Sequence, residues 1–244
     1  MIKGSDIRRD AFQKLRKELL DWQGFRAPTY AERREMGLGQ INKAFPNEVF
    51  PLSAVHEFIS HTKEAAAATS GFMAGILGAL MHKGACLWVG TRQMIFPPAL
   101  KVAGINPDQV IFVNALSDKE ALWVIEEGLK CGGLAAVVGE VKDLSFTASG
   151  RLQLAVEKSR ITGLIHRNIE IAPGNTACLA RWKVTPLASV KEDGMPGVGF
   201  PSWRVELIKI RNGRPGAWQV QWMDKGFVIA AEKPVAIPGI KRTG

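Results

Sequence analysis

Five short apolar runs lie between residues 55 and 167, and helix-length segments follow three of them. The runs lack the polar alternation of half-exposed strands, which predicts strands buried on both faces. They fall at residues 55–59, 86–90, 109–115, 134–140 and 161–167. The helical segments fall at residues 63–80, 121–133 and 147–159, the last with Thr147 as its expected N-cap. Because parallel strands need long crossover connections, the pattern predicts an α/β fold: a doubly wound, mostly parallel sheet with helices on both faces.

The alternation of strands and helices stops near residue 170. Residues 178–188 and 202–222 instead alternate polar and apolar side chains with period two, and residues 211–216 supply a turn. This pattern predicts a C-terminal antiparallel hairpin that extends the sheet.

Both ends of the chain differ from its centre. Residues 6–21 predict a basic amphipathic helix, because Ile7, Phe12 and Leu15 fall near one face and basic side chains fall on the others. We therefore expect a basic helical extension and linker at 1–45, a core at 46–224 and a loosely held tail at 225–244. The linker itself is expected over residues 26–46.

The formal net charge of +9 is concentrated at the two ends. Such segregation suits a nucleic-acid or acidic-protein surface, and it equally suits a solubilising surface. No apolar run approaches the roughly 18 residues needed to cross a bilayer. Because no apolar stretch follows the opening MIKGSDIRRD, a secretory signal is not expected. A cytoplasmic protein without membrane contact is expected. The three cysteines and four histidines show no metal-binding spacing, so no metal is expected.

The residues after the first strand are those that bind phosphate in phosphate-loop ATPases. That loop requires G-x-x-x-x-G-K-[ST], in which glycine N–H groups cradle phosphate, lysine neutralises it and a hydroxyl binds magnesium. Here the eight residues are SHTKEAAA, from Ser60 to Ala67. Both glycines, the lysine and the hydroxyl are missing from their positions, and Glu64 adds negative charge. ATP binding and hydrolysis are not expected, although the segment could also be an unrelated helix.

The strand ends also lack the expected acids. A hydrolase of this architecture ends a strand in a carboxylate that holds magnesium or activates water. The second strand leads instead into Gly90, Thr91 and Arg92, and the fourth has Gly139 at the expected position with Glu140 one residue later. Glu140 without a phosphate site is not expected to be catalytic.

The order of these segments resembles the ImuA family of bacterial proteins, which are similar to RecA recombinase without its ATP site. The resemblance runs from about residue 49 to 222 and rests on blocks at 50–58, 86–113, 121–141, 147–167, 180–186 and 203–222. The blocks most specific to ImuA are SFTASGRLQLA and WRVELIKIRNGRPGAWQVQW. The resemblance implies a degenerate RecA-like core. It places the RecA loop glycines at Ser60 and Ala65, the lysine at Ala66, the threonine at Ala67, the strand-end aspartates at Gly90 and Gly139, and the catalytic glutamate at Arg92.

The resemblance implies a non-enzymatic accessory role without a cofactor, in damage-inducible translesion synthesis. The implied partners are ImuB, which is a Y-family polymerase relative without catalytic activity, an error-prone polymerase and RecA. Three alternatives stay open at this point. They are an inhibitor of a tubulin-like division protein, similar to SulA; a modulator of the RecA filament that contacts DNA weakly; and an enzyme with residual nucleotide binding.

Two basic surfaces are candidates for partner or DNA contact. The N-terminal helix carries Arg8, Arg9 and Arg16. The hairpin interleaves Arg204, Lys209, Arg211 and Arg214 with Trp203, Trp218 and Trp222. Arginine and tryptophan are common at interface hot spots, and aromatic rings beside cations suit single-stranded DNA. The alternative is that the tryptophans face the core and the arginines are solvated.

Overall fold

The computed structural model describes residues 14–15, 35–81, 84–92, 95–171, 173–190, 197 and 199–229. In chain order the strands are β1 (Val55–Ser60), β2 (Ala85–Gly90), β3 (Val110–Asn114), β4 (Leu134–Glu140), β5 (Thr162–Asn168), β6 (Ala180–Val190), β7 (Phe200–Ile210), β8 (Gly216–Met223) and β9 (Gly226–Ile229). The helices are α1 (Lys63–Leu80), α2 (Asp118–Lys130) and α3 (Phe146–Ser159). Short 3-10 helices cover Gly39–Ala44, Pro46–Glu48, Pro97–Ala103 and Pro107–Gln109.

All nine strands form one sheet in the order β3-β2-β4-β5-β1-β6-β7-β8-β9. The strands from β3 to β6 in this order pair in parallel, whereas β6 to β9 pair antiparallel. Helix α1 covers one face of the sheet, and α2 and α3 cover the other. Each face has its own buried apolar cluster. The predicted doubly wound sheet with helices on both faces is confirmed.

Each helix begins at a polar residue whose side chain caps the first turn. The hydroxyl of Ser117 accepts the N–H of Glu120, and the Glu120 carboxylate accepts the N–H of Leu116 at 2.8 Å, so α2 starts with a reciprocal cap. Helix α3 is capped by Ser145 rather than by the predicted Thr147. Helix α2 ends at Lys130, three residues before the predicted end.

The segment predicted as a linker at residues 26–46 is built into the core where the structure describes it. Met36, Leu38, Ile41 and Phe45 are buried against the α1 face of the sheet. The 3-10 helix at Gly39–Ala44 turns Ile41 and Ala44 inward. The structural core therefore includes residues from Met36 onward, earlier than the predicted boundary at 46.

The C-terminal region holds more strands than the predicted hairpin. β7 and β8 form that hairpin, and β9 adds a further strand from residues assigned to the tail. Phe227 of β9 packs against Trp222 and Phe72 with ring centroids 4.9 and 5.1 Å apart. Gly75 of α1 permits this contact, because a β-carbon there would collide with the Phe227 ring. The ordered core thus extends to Ile229; residues 230–244 lie outside the described chain.

A buried ion-pair network joins three strands on the face that α2 and α3 cover. The carboxylate of Glu57 in β1 is fully buried and accepts from Arg167 of β5 at 2.7 Å and from Arg181 of β6 at 2.8 Å. The hydroxyl of Thr176 donates to the same carboxylate at 2.7 Å. Such a carboxylate satisfies two buried guanidinium groups at once.

Candidate functional site

The connection between β1 and α1 is two residues long. β1 ends at Ser60 and α1 begins at Lys63, so only His61 and Thr62 separate them. The Thr62 hydroxyl accepts the backbone N–H of Ala65 at 3.1 Å and caps the helix. A phosphate-binding loop needs several backbone N–H groups turned toward the anion before the helix begins. This connection is too short to form such a cradle.

The first turn of α1 carries its own anion. Glu64 is exposed, and its own backbone N–H and the Thr62 hydroxyl lower the pKa of its carboxyl group. A carboxylate is favoured at a helix N-terminus, where the peptide dipoles present positive charge. Ala66 is buried and Ala67 is exposed in the same turn. The chain's own groups therefore occupy donors that a phosphate would need.

The last two residues of β4 point to opposite faces of the sheet. A β-carbon at Gly139 would collide with the side chain of Ile125 in α2, so this position faces the α2 and α3 layer. The side chain of Glu140 points to the other face and lines a cleft beside α1. The strand-end carboxylate of β4 that lines the cleft is thus Glu140, one residue after Gly139, where the resemblance places an aspartate.

Glu140 is held in place by one hydrogen bond and is 8% exposed. Nε1 of Trp88 in β2 donates to its Oε1 at 3.0 Å. Burial raises the pKa of Glu140 to about 7, although the hydrogen bond from Trp88 acts to lower it. Gly90 packs closely against this carboxyl group, because a β-carbon there would lie 3.3 Å from Oε2 and 3.1 Å from the carbonyl oxygen of Arg92. Arg92 is exposed two residues later and lines the same cleft.

His166 of β5 lies next to Glu140 in the parallel register of β4 and β5. Its Nε2 is 2.9 Å from the hydroxyl of Ser60 at the end of β1. Burial lowers the pKa of His166 to about 4, so the imidazole is neutral near pH 7. Glu140 and His166 form what we call the polar floor of the cleft, with Ser60 and Trp88 behind it.

The cleft has a volume of about 1510 Å³ and opens at the carboxyl ends of the parallel strands. Ligands of open α/β sheets bind at this edge. One wall is the small-residue face of α1, formed by Ala66, Ala67, Ser70, Gly71 and Ala74. The mouth carries an apolar rim of Phe96, Leu116 and Ile171, which are 71%, 94% and 81% exposed. Exposed apolar side chains grouped around a concave surface mark it as the candidate binding site.

The hairpin separates the tryptophans from most of the basic residues. Trp203 and Trp222 are buried, and Trp218 is half-buried against the same cluster on the α1 face. Arg204 lies on the opposite face of β7, where its Nε is 3.5 Å from Glu206. The structure therefore does not bring these aromatic rings and Arg204 onto one surface for base stacking.

The remaining basic residues of the hairpin lie near its turn or below it. Nζ of Lys209 is 3.4 Å from the carbonyl oxygen of Thr176, and a guanidinium nitrogen of Arg211 donates to the carbonyl of Ala177 at 3.2 Å. Arg214 is exposed at the turn. Lys209 and Arg211 are thus partly engaged in holding the segment that precedes β6.

The comparisons with known proteins agree with this architecture. The chain matches no profile of a defined protein family. It is 33% identical over 217 residues to Protein ImuA of Caulobacter vibrioides, in the strains NA1000 / CB15N and CB 15, and the match covers 83% of this chain and 88% of that protein. The chain belongs to the ImuA family. The crystal structure of the RadB recombinase is similar in fold, with a TM-score of 0.57, 14% identity, and coverage of 80% of this chain and 98% of that one.

The family and fold that the sequence resembled are therefore confirmed. The likeness to RadB supports the RecA-like fold of this ImuA family member. The predicted N-terminal basic helix, with Arg8, Arg9 and Arg16, lies outside the described residues. Of that helix only Lys14 and Leu15 are described, and both are helical and exposed.

Two residues of the site were undervalued by sequence reasoning. From the sequence, Glu140 is an acid without a phosphate site, and His166 is one of four histidines without metal-binding spacing. The signal that joins them is that each lies near the carboxyl end of a buried parallel strand, where such strands meet. Within the described residues, no group of three or more metal-ligating side chains is present, and no helix is long and apolar enough to cross a membrane.

Proposed function

We propose that this ImuA family member is a non-enzymatic accessory protein of damage-inducible, error-prone DNA repair. In this role it binds an ImuB-type polymerase relative, RecA or both, and it acts beside an error-prone polymerase. The proposal uses the RecA-like core as a surface for recognition rather than as an ATPase.

The observation that carries this proposal is the start of α1. A two-residue connection, a carboxylate at Glu64 and alanines at positions 66 and 67 occupy the region that would bind the phosphates of ATP. Phosphoryl transfer depends on groups that position the phosphates and stabilise their charge. The loss of those groups at the start of α1 supports a role without hydrolysis. The exposed apolar rim of the cleft supports protein contact.

A pull-down of the purified protein with the ImuB-type relative, RecA and the tubulin-like division protein tests the proposal. We expect capture of the first, the second or both. Capture of the division protein alone would replace the proposal with the inhibitor similar to SulA.

Direct DNA contact is a second candidate, favoured by the open face of the antiparallel strands. Lys183 and Arg204 are partly exposed on that face, with side-chain exposures of 42% and 36%, and Arg211 and Arg214 are exposed nearby. Charge reversal of Arg211 and Arg214 should weaken single-stranded DNA binding and flatten its salt dependence, because each lost phosphate contact lowers the slope. Unchanged DNA and partner binding would dismiss this surface.

A further inference from the structure

The antiparallel half of the sheet is covered on one face only. The apolar cluster under α1 extends beneath β6 to β9 on that face. On the other face, the main contacts of α2 and α3 are with β1, β2, β4 and β5. The described helices therefore leave open the face of β6 to β9 that points away from α1, and we call it the open face. Because a half-exposed antiparallel sheet normally turns polar side chains to water, large apolar side chains on such a face indicate contact with a partner.

The strand register separates apolar and basic side chains along the open face. Leu187 pairs with Ser202, Ser202 with Gln221, and Gln221 with Val228, so these residues form one row across the four strands. Leu187 and Val228 in this row are 39% and 46% exposed. The rows nearer the turn between β7 and β8 carry cations instead, which are Arg204, Lys183 and Lys209 in that order. An occupant must therefore be apolar over one end of the face and polar over the rest.

The charge of the open face is predominantly positive. Within the four strands as described, Glu206 is the one acid. Its carboxylate is shared between two cations, lying 3.5 Å from Nε of Arg204 and 3.9 Å from Nζ of Lys183. Lys209 is exposed on the same strand as Glu206, and Arg211 is exposed just beyond it. Because interfaces match positive patches with negative ones, the complementary occupant carries acids.

The apolar row favours a protein over single-stranded DNA. Trp203 and Trp222, whose rings could stack on bases, belong to the cluster under α1. Phosphate contacts alone would leave Leu187 and Val228 in water. The two ends of this chain do not complement the open face either, because residues 1–45 and 230–244 each carry more basic than acidic side chains. The occupant is therefore expected to come from another protein.

The size of the open face suits a segment rather than a whole domain. β6 and β7 have 11 residues each, β8 has 8 and β9 has 4. At about 4.8 Å between strands and 3.4 Å per residue, these strands present on the order of 500 Å². Stable interfaces bury about 800 Å² on each partner. A single helix of about 18 residues, which is about 27 Å long and 10 Å wide, fits along this face.

We propose that the open face of β6 to β9 binds an acidic amphipathic segment of a partner protein. The apolar side chains of the segment cover Leu187 and Val228. Its carboxylates pair with Lys183 and Arg204, which have a single acid between them in this chain. This inference rests on the proposed function, because it gives the partner-binding role a surface and a chemistry.

A synthetic peptide tests the open face independently of any natural partner. A helical peptide of about 18 residues, with leucine on one side and glutamate on the other, is titrated into the full chain. The NMR signals of the side-chain amides of Gln219 and Gln221 report binding, because these residues pair with Arg204 and Ser202 on the open face. A peptide with lysine in place of glutamate tests the charge, and one with serine in place of leucine tests the apolar row.

We expect the glutamate peptide to shift both amide signals and to bind at least about tenfold more tightly than either altered peptide. Equal binding of the three peptides, or no shift of the two signals, would overturn the inference. An oligothymidylate of about 20 nucleotides is the nucleic-acid probe, long enough for single-strand binding folds. If it shifts the same signals and binds at least as tightly as the glutamate peptide, the open face is a DNA surface and the inference fails.

Paired charge-neutralising variants test the same surface with the ImuB-type relative and RecA. Lys183→Gln combined with Arg204→Gln should weaken their binding, and that of the glutamate peptide, at least about fivefold, because two cations that pair with the segment are lost. Lys119→Gln combined with Lys158→Gln is the matched control. It removes the same charge from exposed positions on α2 and α3 and should change binding less than twofold.

The outcomes separate this inference from the proposed function. Equal effects of the two variant pairs on partner binding would overturn the open face as the docking site while leaving the proposed function in place. If the unaltered protein binds neither the ImuB-type relative nor RecA, the proposed function fails, and the peptide titration still decides the chemistry of the open face.

Discussion

The replacement Glu140→Gln should make the protein more stable at alkaline pH. Glu140 binds a proton more tightly in the folded chain than in the unfolded chain, because burial raises its pKa from 4.5 to about 7. The folded state is therefore penalised progressively as the pH rises from 4.5 through 7. Each pKa unit is worth about 1.4 kcal/mol, so the full penalty is about 3 kcal/mol above pH 7. A glutamine has no proton to lose, and its carbonyl can still accept the N–H of Trp88.

Urea unfolding of both proteins at pH 4.5, 6, 7 and 8.5 measures this effect. The free energy of unfolding of the variant, minus that of the unaltered protein, should rise by about 3 kcal/mol across this range. Taking the difference cancels the titration of groups common to both proteins. Glu170→Gln, which removes an exposed carboxylate from the lip of the cleft, should give a flat difference. A flat difference for Glu140→Gln would refute the reasoning that its carboxyl group is buried without a cation.

Three further predictions concern buried groups elsewhere in the chain. Gly139→Asp should destabilise the fold by more than about 3 kcal/mol without conferring ATP hydrolysis, because it drives a charge against Ile125; unchanged thermal unfolding would contradict this. Glu57→Gln should cost about 3–5 kcal/mol in urea unfolding, because it leaves two buried arginines undercompensated; a loss below about 1 kcal/mol would be inconsistent. Acidification from pH 6.5 to 4 should lower the stability of the Glu140→Gln variant, which lacks the opposing titration of Glu140, by several kcal/mol, because burial lowers the pKa of His56 and His166 to about 4 and the unfolded chain gains their protons first; a constant melting temperature of this variant over the range would disprove it.

The parallel half of the fold was predictable because most of its strands are buried on both faces. The edge strand β3, which was also predicted to be buried, is the exception, since its Ile111 is exposed. Runs such as residues 134–140 have no polar side to expose, and the helices between them carry separate apolar faces. This combination has few solutions other than a doubly wound sheet. The observed bounds of β1 to β5 differ from the predicted runs by only one residue at either end.

The flanking pieces of the core were not predictable, because their burial is set by distant partners. Leu38 precedes a short 3-10 helix that contains Ile41, neither belongs to a periodic pattern, and both are buried by packing against the α1 face. Phe227 belongs to a four-residue strand whose position depends on Gly75 in a helix far away in sequence. Local patterns report helices and strands, whereas these contacts depend on the assembled sheet.

The absence of a phosphate-binding loop could be predicted from the sequence, whereas the side chains that line the cleft could not. The missing phosphate loop could be seen in eight consecutive residues, because that motif is local. The polar floor, Glu140 and His166, and Ser60 behind it come from three strands, and only the sheet order brings them together. Neighbouring residues of a strand point to opposite faces, so Glu140 faces the cleft whereas Gly139, one residue earlier, faces α2 and α3. Matching the sequence to a motif position by position does not show this difference in direction.

Isothermal titration of the full chain with ATP and Mg²⁺ tests the central claim most directly. The short connection after Ser60 and the carboxylate of Glu64 at the start of α1 leave no cradle for phosphate. We predict no heat of binding up to millimolar ATP and no release of phosphate in a parallel assay. Saturable binding at micromolar ATP would contradict the account, because it would mean that this cleft still serves a nucleotide.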